Sequence, residues 1–179
     1  GHAIGAGEFH LENYRVCADD MLSPPGDAFK HAMATVNGAR IYVASMCCGM
    51  VADALERALE YGENRLAFGK PILDNQGLMW SLCDVATDLE AMRALATKAG
   101  RKIDRGDDAV LAAAVAKKFA GRVTVPAITA CIQAMGANGL RQDNALGRHL
   151  AAAKIAAFTD GSTEMMNERI GVSIRQRRM

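Results

Sequence analysis

Several things are scarce in this 179-residue chain, and each shortage removes a class of function. Charge of one sign is missing: 21 Lys and Arg stand against 20 Asp and Glu, a net charge of +1. Basic residues are scattered except for Arg175, Arg177 and Arg178 at the end, whereas a nucleic-acid surface needs them gathered in excess, so no nucleic-acid partner is expected. That trio reads as cations closing a last helix, with an anion site as the alternative. The five cysteines, Cys17, Cys47, Cys48, Cys83 and Cys131, form no C-x-x-C pair and no metal-ligand spacing, and their odd number opposes a disulfide framework. A reducing, cytoplasmic setting is expected. Apolar runs are broken by Arg, Asp or Glu well before the ~20 residues a membrane helix needs, and the start lacks a basic-then-apolar signal pattern. No membrane span is expected. Glu-x-x-His is also absent, since neither His31 nor His149 has Glu three positions before it, which removes the carboxylate-bridged di-iron bundle.

What is present is helical periodicity. The hydrophobic share of 50% suits one globular domain with a substantial core. Gly1-His2-Ala3 reads as a vector remnant, and Glu8 to Val16 alternates imperfectly, as a strand would, before Pro24, Pro25 and Gly26 end it. A lone strand has no backbone partner inside a helical domain, so residues 1–27 are expected to be a leftover strand and linker, with 28–179 as the domain proper. Val36, Ala39, Val43, Met46, Met50, Ala54, Ala58 and Tyr61 recur at three- and four-residue steps and predict a first helix. Leu78, Leu82, Val85, Leu89, Met92, Ala96, Ala99 and Ile103 predict a second, roughly 45 Å long at 1.5 Å per residue, with Asp74 as its cap. A third is predicted from about Asp107 through Leu111, Val115, Phe119, Val123, Ile128, Ile132 and Met135, kinked at Pro126 and stopped at Gly136-Ala137-Asn138-Gly139. Shorter helices are expected over 144–158 and 163–174. The fold class is therefore all-α: an antiparallel four-helix bundle with an additional C-terminal helix and a short N-terminal strand or extended segment. The ten methionines, at helical spacing, read as core filler.

Three breaks between helices hold residues that a plain bundle does not require. In "ENRLAFGKPILDNQ", Arg65 offers a donor fork suited to phosphate, Phe68 a face for a flat ring, and Gln76 stands close by; the same loop also serves as a mere connector. In "QAMGANG", Gly136 and Gly139 let backbone amides approach a ligand beside the Gln133 amide, yet glycine also ends helices for backbone reasons alone. In "AAFTDGSTEMM", Asp160 reads as a helix N-cap or as a lone functional acid.

The order of these loops carries a resemblance. "RLAFGKPILDNQ" resembles the pattern R-x-x-F-G-x-P-I-x-x-x-Q of acyl-CoA dehydrogenases, "QAMGANG" resembles Q-x-x-G-G-x-G, and "AKIAAFTDGSTEMMNERIG" resembles A-K-I-x-x-I-x-E-G-T-x-E. "VNGAR" and the helix after it look like the family's first long C-terminal helix, so the likeness runs from about Glu8 to Gly171. The resemblance implies a C-terminal helical domain cut from a longer FAD enzyme of fatty-acid metabolism, inactive alone, that removes two hydrogens across Cα–Cβ of an acyl-CoA thioester. In such an enzyme a carboxylate takes the α proton and hydride passes to flavin N5; Asp160 matches the position of that base, whose pKa is raised toward working pH. Arg40 matches an arginine near the carboxylate. Arg65, Phe68, Gln76, Gln133, Gly136, Gly139, Ser162 and Glu164 match positions that meet FAD, in a site shared with a neighbouring subunit. A homodimer or homotetramer, an acyl-CoA substrate and electron-transfer flavoprotein as acceptor are likewise implied.

Four departures from the pattern bear on activity. Asp160 is one methylene shorter than the family's Glu, a retraction of roughly 1.5 Å, and a misplacement of that size costs ~100-fold. Ala137 replaces a Gly, Leu140 an aromatic, and Ala151-Ala152 an Arg-Asp pair. Ala39 stands where some members place an alternative base, so no second acid is available there. A catalytically silent homologue, kept as an oligomer scaffold or partner subunit, is the competing expectation.

Overall fold

The computed structural model describes residues 7–176. The remnant expected at Gly1-His2-Ala3, and Arg177 and Arg178 of the terminal trio, lie outside the described residues.

Five helices follow one another: α1 (Ala28–Asn64), α2 (Gln76–Asp104), α3 (Val110–Met135), α4 (Leu146–Ala156) and α5 (Thr163–Arg175). α1 and α3 are parallel and form the central pair, since the end of α1 meets the turn after α3 where Asn138 Nδ2 donates to Tyr61 Oη at 3.1 Å. α2 and α4 run the other way and pack against both, one on each side, while α5 packs on α3. This up-down-up-down order follows from the short connections. The expected bundle with one further helix is therefore the architecture.

α2 keeps the middle of its predicted seam, with Leu82, Val85, Leu89, Met92, Ala96 and Ala99 all buried, while Leu78 is half-buried and Ile103 exposed. Its 29 residues make a rod about 44 Å long. α3 departs from expectation. Val123, Ile128 and Met135 are buried as predicted, but Leu111, Val115, Phe119 and Ile132 are only half-buried, and the innermost residues of its first half are Ala113, Ala114, Ala116, Lys117 and Ala120. A helix flanked on several sides buries the residues that allow close approach, so small side chains take the centre and larger ones fill the flanks. Leu82, Met92, Ile128, Leu146 and Met166 are the largest wholly enclosed apolar side chains, each contributing about 1.5–3 kcal/mol by leaving water. α3 runs through Pro126 as one element. α1 and α3 are long and apolar enough to meet a length-and-hydropathy criterion for a membrane span, contrary to the expectation from apolar runs alone; here their apolar residues form the core of the bundle.

Three further expectations are corrected. Glu8 to Val16 forms no strand: it has no ladder partner among the described residues, Asn13 has a φ of 51°, and Phe9, Leu11, Tyr14 and Val16 are exposed. Without a second strand its backbone groups turn to water instead. Asp74 does not cap α2; it closes a 3-10 turn, Ile72–Asp74, and Asn75 is the capping residue. α3 begins at Val110, three residues later than expected, where Asp108 Oδ1 accepts from the Val110 amide at 2.9 Å.

Candidate active site

The break after α4 is built from main-chain groups. Like any helix end, α4 leaves carbonyls without an internal partner. Ile155 O accepts from the Phe158 amide at 2.9 Å, and Ala156 O accepts from the Thr159 hydroxyl at 3.2 Å. The chain then reverses through two left-handed residues, Asp160 at φ 52° and Gly161 at φ 103°. Only Gly suits the second position: a Cβ there would lie 3.1 Å from Met166 Cε and 3.5 Å from an Arg40 nitrogen. Ser162, in extended backbone, is the N-cap of α5, so Asp160 lies two residues before the cap and is not the cap itself. Capping does not account for the acid. Met166, wholly buried, fixes α5 beneath the turn.

Two cations reach this turn from the core. Arg40 on α1 is 6% exposed and donates through Nε to Asp160 O at 3.1 Å, and through a second nitrogen to Asn37 Oδ1 at 3.2 Å. The arginine thus lies beside the acid and holds its backbone carbonyl rather than its carboxylate. Lys117 on α3 is 3% exposed and donates to Gly161 O at 2.6 Å and Ala157 O at 3.3 Å. Burial lowers the pKa of Arg40, Arg169 lowers it further and Asp160 opposes the change. Burial likewise lowers that of Lys117, with Asp160 opposing and Arg40 assisting. The Asp160 side chain points out of the protein from a backbone that both cations hold. At the start of α5 the Ser162 side chain, assisted by the Glu164 amide, holds the exposed Glu164 carboxyl below the usual range.

The other predicted residues gather at the opposite end of the bundle. Between α1 and α2 the chain makes a small hairpin, β1 (Leu66–Ala67) and β2 (Lys70–Pro71), turned by Phe68 at φ 53° and Gly69 at φ 81°. Two positive φ values match the twist of a two-residue hairpin turn and leave the Phe68 ring at the tip, fully exposed. Arg65 caps α1 with its side chain exposed, and Gln76 begins α2, also exposed. Gln133 is exposed on the last turn of α3, and Gly136 ends that helix at φ 60°. Gly139 is buried, and a Cβ there would lie 2.9 Å from the Ile132 Cα. Tyr61 and Asn138 join this loop to α1.

Along α1 the interval from Arg40 to Tyr61 is about 32 Å. The predicted residues therefore fall into two separate clusters: Asp160, Arg40, Ser162 and Glu164 at one end, and Arg65, Phe68, Gln76, Gln133, Gly136 and Gly139 at the other. Between them a groove of about 500 Å³ separates α1 from α4, lined by Met46, Met50, Asp53, Arg57, His149 and Ala152 and by none of the predicted site residues. There Asp53 Oδ2 meets His149 Nε2 at 2.7 Å and Arg57 Nε at 2.9 Å. Sequence reading missed Lys117. Its signal was available, a charge four residues after Ala113 and three before Ala120, inside the run of small residues.

The chain matches the family model "Acyl-CoA dehydrogenase, C-terminal domain" over residues 26–174. It is 34% identical to the short-chain specific acyl-CoA dehydrogenase of Megasphaera elsdenii over 92% of this chain and 43% of that one, and 35% identical to an acyl-CoA dehydrogenase of Bacillus subtilis over 88% and 42%. Butyryl-CoA dehydrogenase from Megasphaera elsdenii superposes with a TM-score of 0.86 at 34% identity, over 89% of this chain and 42% of that one. PigA, solved with FAD and proline, superposes with a TM-score of 0.75 at 27% identity, over 79% and 37%. The chain belongs to the acyl-CoA dehydrogenase family and corresponds to its C-terminal helical domain. It spans about two fifths of the length of the curated relatives it matches.

Proposed function

We propose that this chain is the C-terminal part of an FAD-dependent acyl-CoA dehydrogenase in which Asp160 removes the α proton of an acyl-CoA thioester. The observation that supports this most is the Phe158–Gly161 turn, where buried groups are spent on the main chain and a single carboxylate is left free to meet a substrate. A general base needs that combination of fixed backbone and unpaired carboxylate.

The far end suits FAD by its donor chemistry. An exposed guanidinium at Arg65 fits a pyrophosphate, the Phe68 ring fits a flat aromatic system, and the exposed Gln133 side-chain amide stands at the end of α3 beside Gly136. When bound, FAD would supply the acceptor for the substrate's hydride. Here Arg65, Phe68, Gln76, Gln133, Gly136 and Gly139 would bind and orient one cofactor, while Ser162 and Glu164 would contact another beside Asp160. Because about 32 Å separates the ends, two copies are needed to join them into whole sites, which supports a homodimer or a homotetramer. By family likeness the electron acceptor is an electron-transfer flavoprotein; a chain in a structure of the electron transferring flavoprotein of Acidaminococcus fermentans is 34% identical over 83% of this one. The free cysteines suit a cytoplasmic setting.

This chain alone is expected to be inactive, with residues 1–27 comprising a vector remnant, a residual segment of the preceding β domain and a linker. The full-length enzyme is expected to purify yellow and to bleach with an acyl-CoA, and Asp160→Asn to abolish bleaching while retaining the flavin. The competing reading, a silent homologue serving as oligomer scaffold, draws on the shorter acid and on its free, unoriented carboxylate. A full-length protein that binds FAD but is reduced by no acyl-CoA would establish that reading instead.

A further inference from the structure

We propose that Lys117 is a positioning residue for Asp160: its ammonium, bridging the Ala157 and Gly161 carbonyls, holds the left-handed turn from which the carboxylate projects. The inference rests on the reading of Asp160 as the base, and it concerns a residue on a different helix. The geometry is a bracket. Lys117 grips the main chain on both sides of Asp160, at 3.3 Å and 2.6 Å, and Arg40 grips Asp160 itself at 3.1 Å. With the residues before, at and after the acid all fixed, the Asp160 Cα has little freedom to swing.

A plain helix cap does not need such a group. A buried ammonium without a carboxylate partner is costly, and no carboxylate lies within ion-pair distance of Lys117 among the described residues. An amide or hydroxyl would satisfy the same carbonyls without that cost. The charge is matched by its surroundings instead: the C-terminal end of α4 is the negative end of that helix, and the Asp160 carboxylate favours the charged ammonium. Lys117 is thereby coupled both to the backbone that aims Asp160 and to the charge that Asp160 carries.

The test uses the flavin-loaded full-length enzyme and the rate of flavin reduction per bound flavin at saturating acyl-CoA. Lys117→Met, of similar length but with neither charge nor donors, is expected to lower that rate roughly 100-fold, with KM and flavin content near wild type. Lys117→Arg is expected to restore at least a tenth of the wild-type rate. Hydrogen exchange of the Ala157–Glu164 amides should quicken in the Met variant while that of α2 is unchanged. If the Met variant does not fold, Lys117→Gln, which keeps one donor and loses the charge, is expected to fall between Met and wild type. Wild-type reduction per bound flavin in whichever neutral variant folds overturns the assignment. Asp160→Asn, measured alongside, separates the causes: if it is inert while Lys117→Met is fast, Lys117 alone is misassigned. If Asp160→Asn is itself fast, the reading of the base fails and this inference fails with it.

Discussion

The two ends of the bundle are built on opposite plans. At the Asp160 end, buried Arg40 and Lys117 reach outward from the core to grip a turn, so the geometry of the acid is set inside the chain. At the hairpin end the predicted residues other than Gly139 are exposed, and Phe68 stands clear of the protein altogether. An end organised from within is sensitive to mutations in the core; one whose side chains face outward is sensitive chiefly at its surface. Substitutions should separate the two plans.

The largest effect is expected from Asp160→Asn, which keeps shape and removes basicity: flavin reduction in the full-length enzyme should fall by about 10²–10⁴-fold with the fold intact, as read by stopped-flow absorbance. Next is Gly139→Ala. Its added methyl would lie 2.9 Å from Ile132 Cα, a backbone atom, so thermal unfolding should register a loss of about 1–3 kcal/mol. Here the hairpin end depends on the core, as it also does where Asn138 meets Tyr61. Phe68→Ala should leave the melting temperature of the chain unchanged, because the ring is fully exposed, yet weaken FAD retention roughly tenfold in the assembled enzyme, the size of one aromatic contact. A fall in chain stability would show that the hairpin is organised from within after all. The smallest effect belongs to neither end. Asp53, held below its ordinary pKa chiefly by its hydrogen bond to Arg57 and then by His149, ties α1 to α4. A depressed folded-state pKa stabilises above the ordinary carboxylate value and ceases to do so as pH falls through the folded value. Asp53→Asn should therefore cost about 0.2–1 kcal/mol near neutral pH in urea titrations, with the gap closing below about pH 4.

Much of the fold was legible because α2 obeys one rule. It packs one face against its partners, so apolar residues at three- and four-residue steps coincide with burial from Leu82 to Ala99. α3 does not obey it. Lying between several helices, it buries Ala113, Ala116 and Ala120, and hydrophobic size misleads there, which is also why Lys117 stayed hidden among them. The N-terminal strand failed for a related reason: alternation is a local property, whereas a ladder needs a second chain segment that periodicity cannot supply. At the site, motif spacing brought out the acid and the glycines. It could not reveal that Arg40 binds the Asp160 carbonyl, because whether a cation meets a side chain or a main-chain oxygen depends on a three-dimensional turn. Nor could it separate one cluster from the other by about 32 Å, a distance that emerges only once α1 is known to be unbroken.

The positive φ of Asp160 has a bearing on the choice of acid. Short polar side chains tolerate left-handed backbone better than longer ones, since they can bond locally to the main chain. Aspartate therefore sits more comfortably at this corner than a glutamate would, and what it gives up is length. For the base proposed above, conformational ease and reach pull in opposite directions, and the observed amino acid lies on the side of ease.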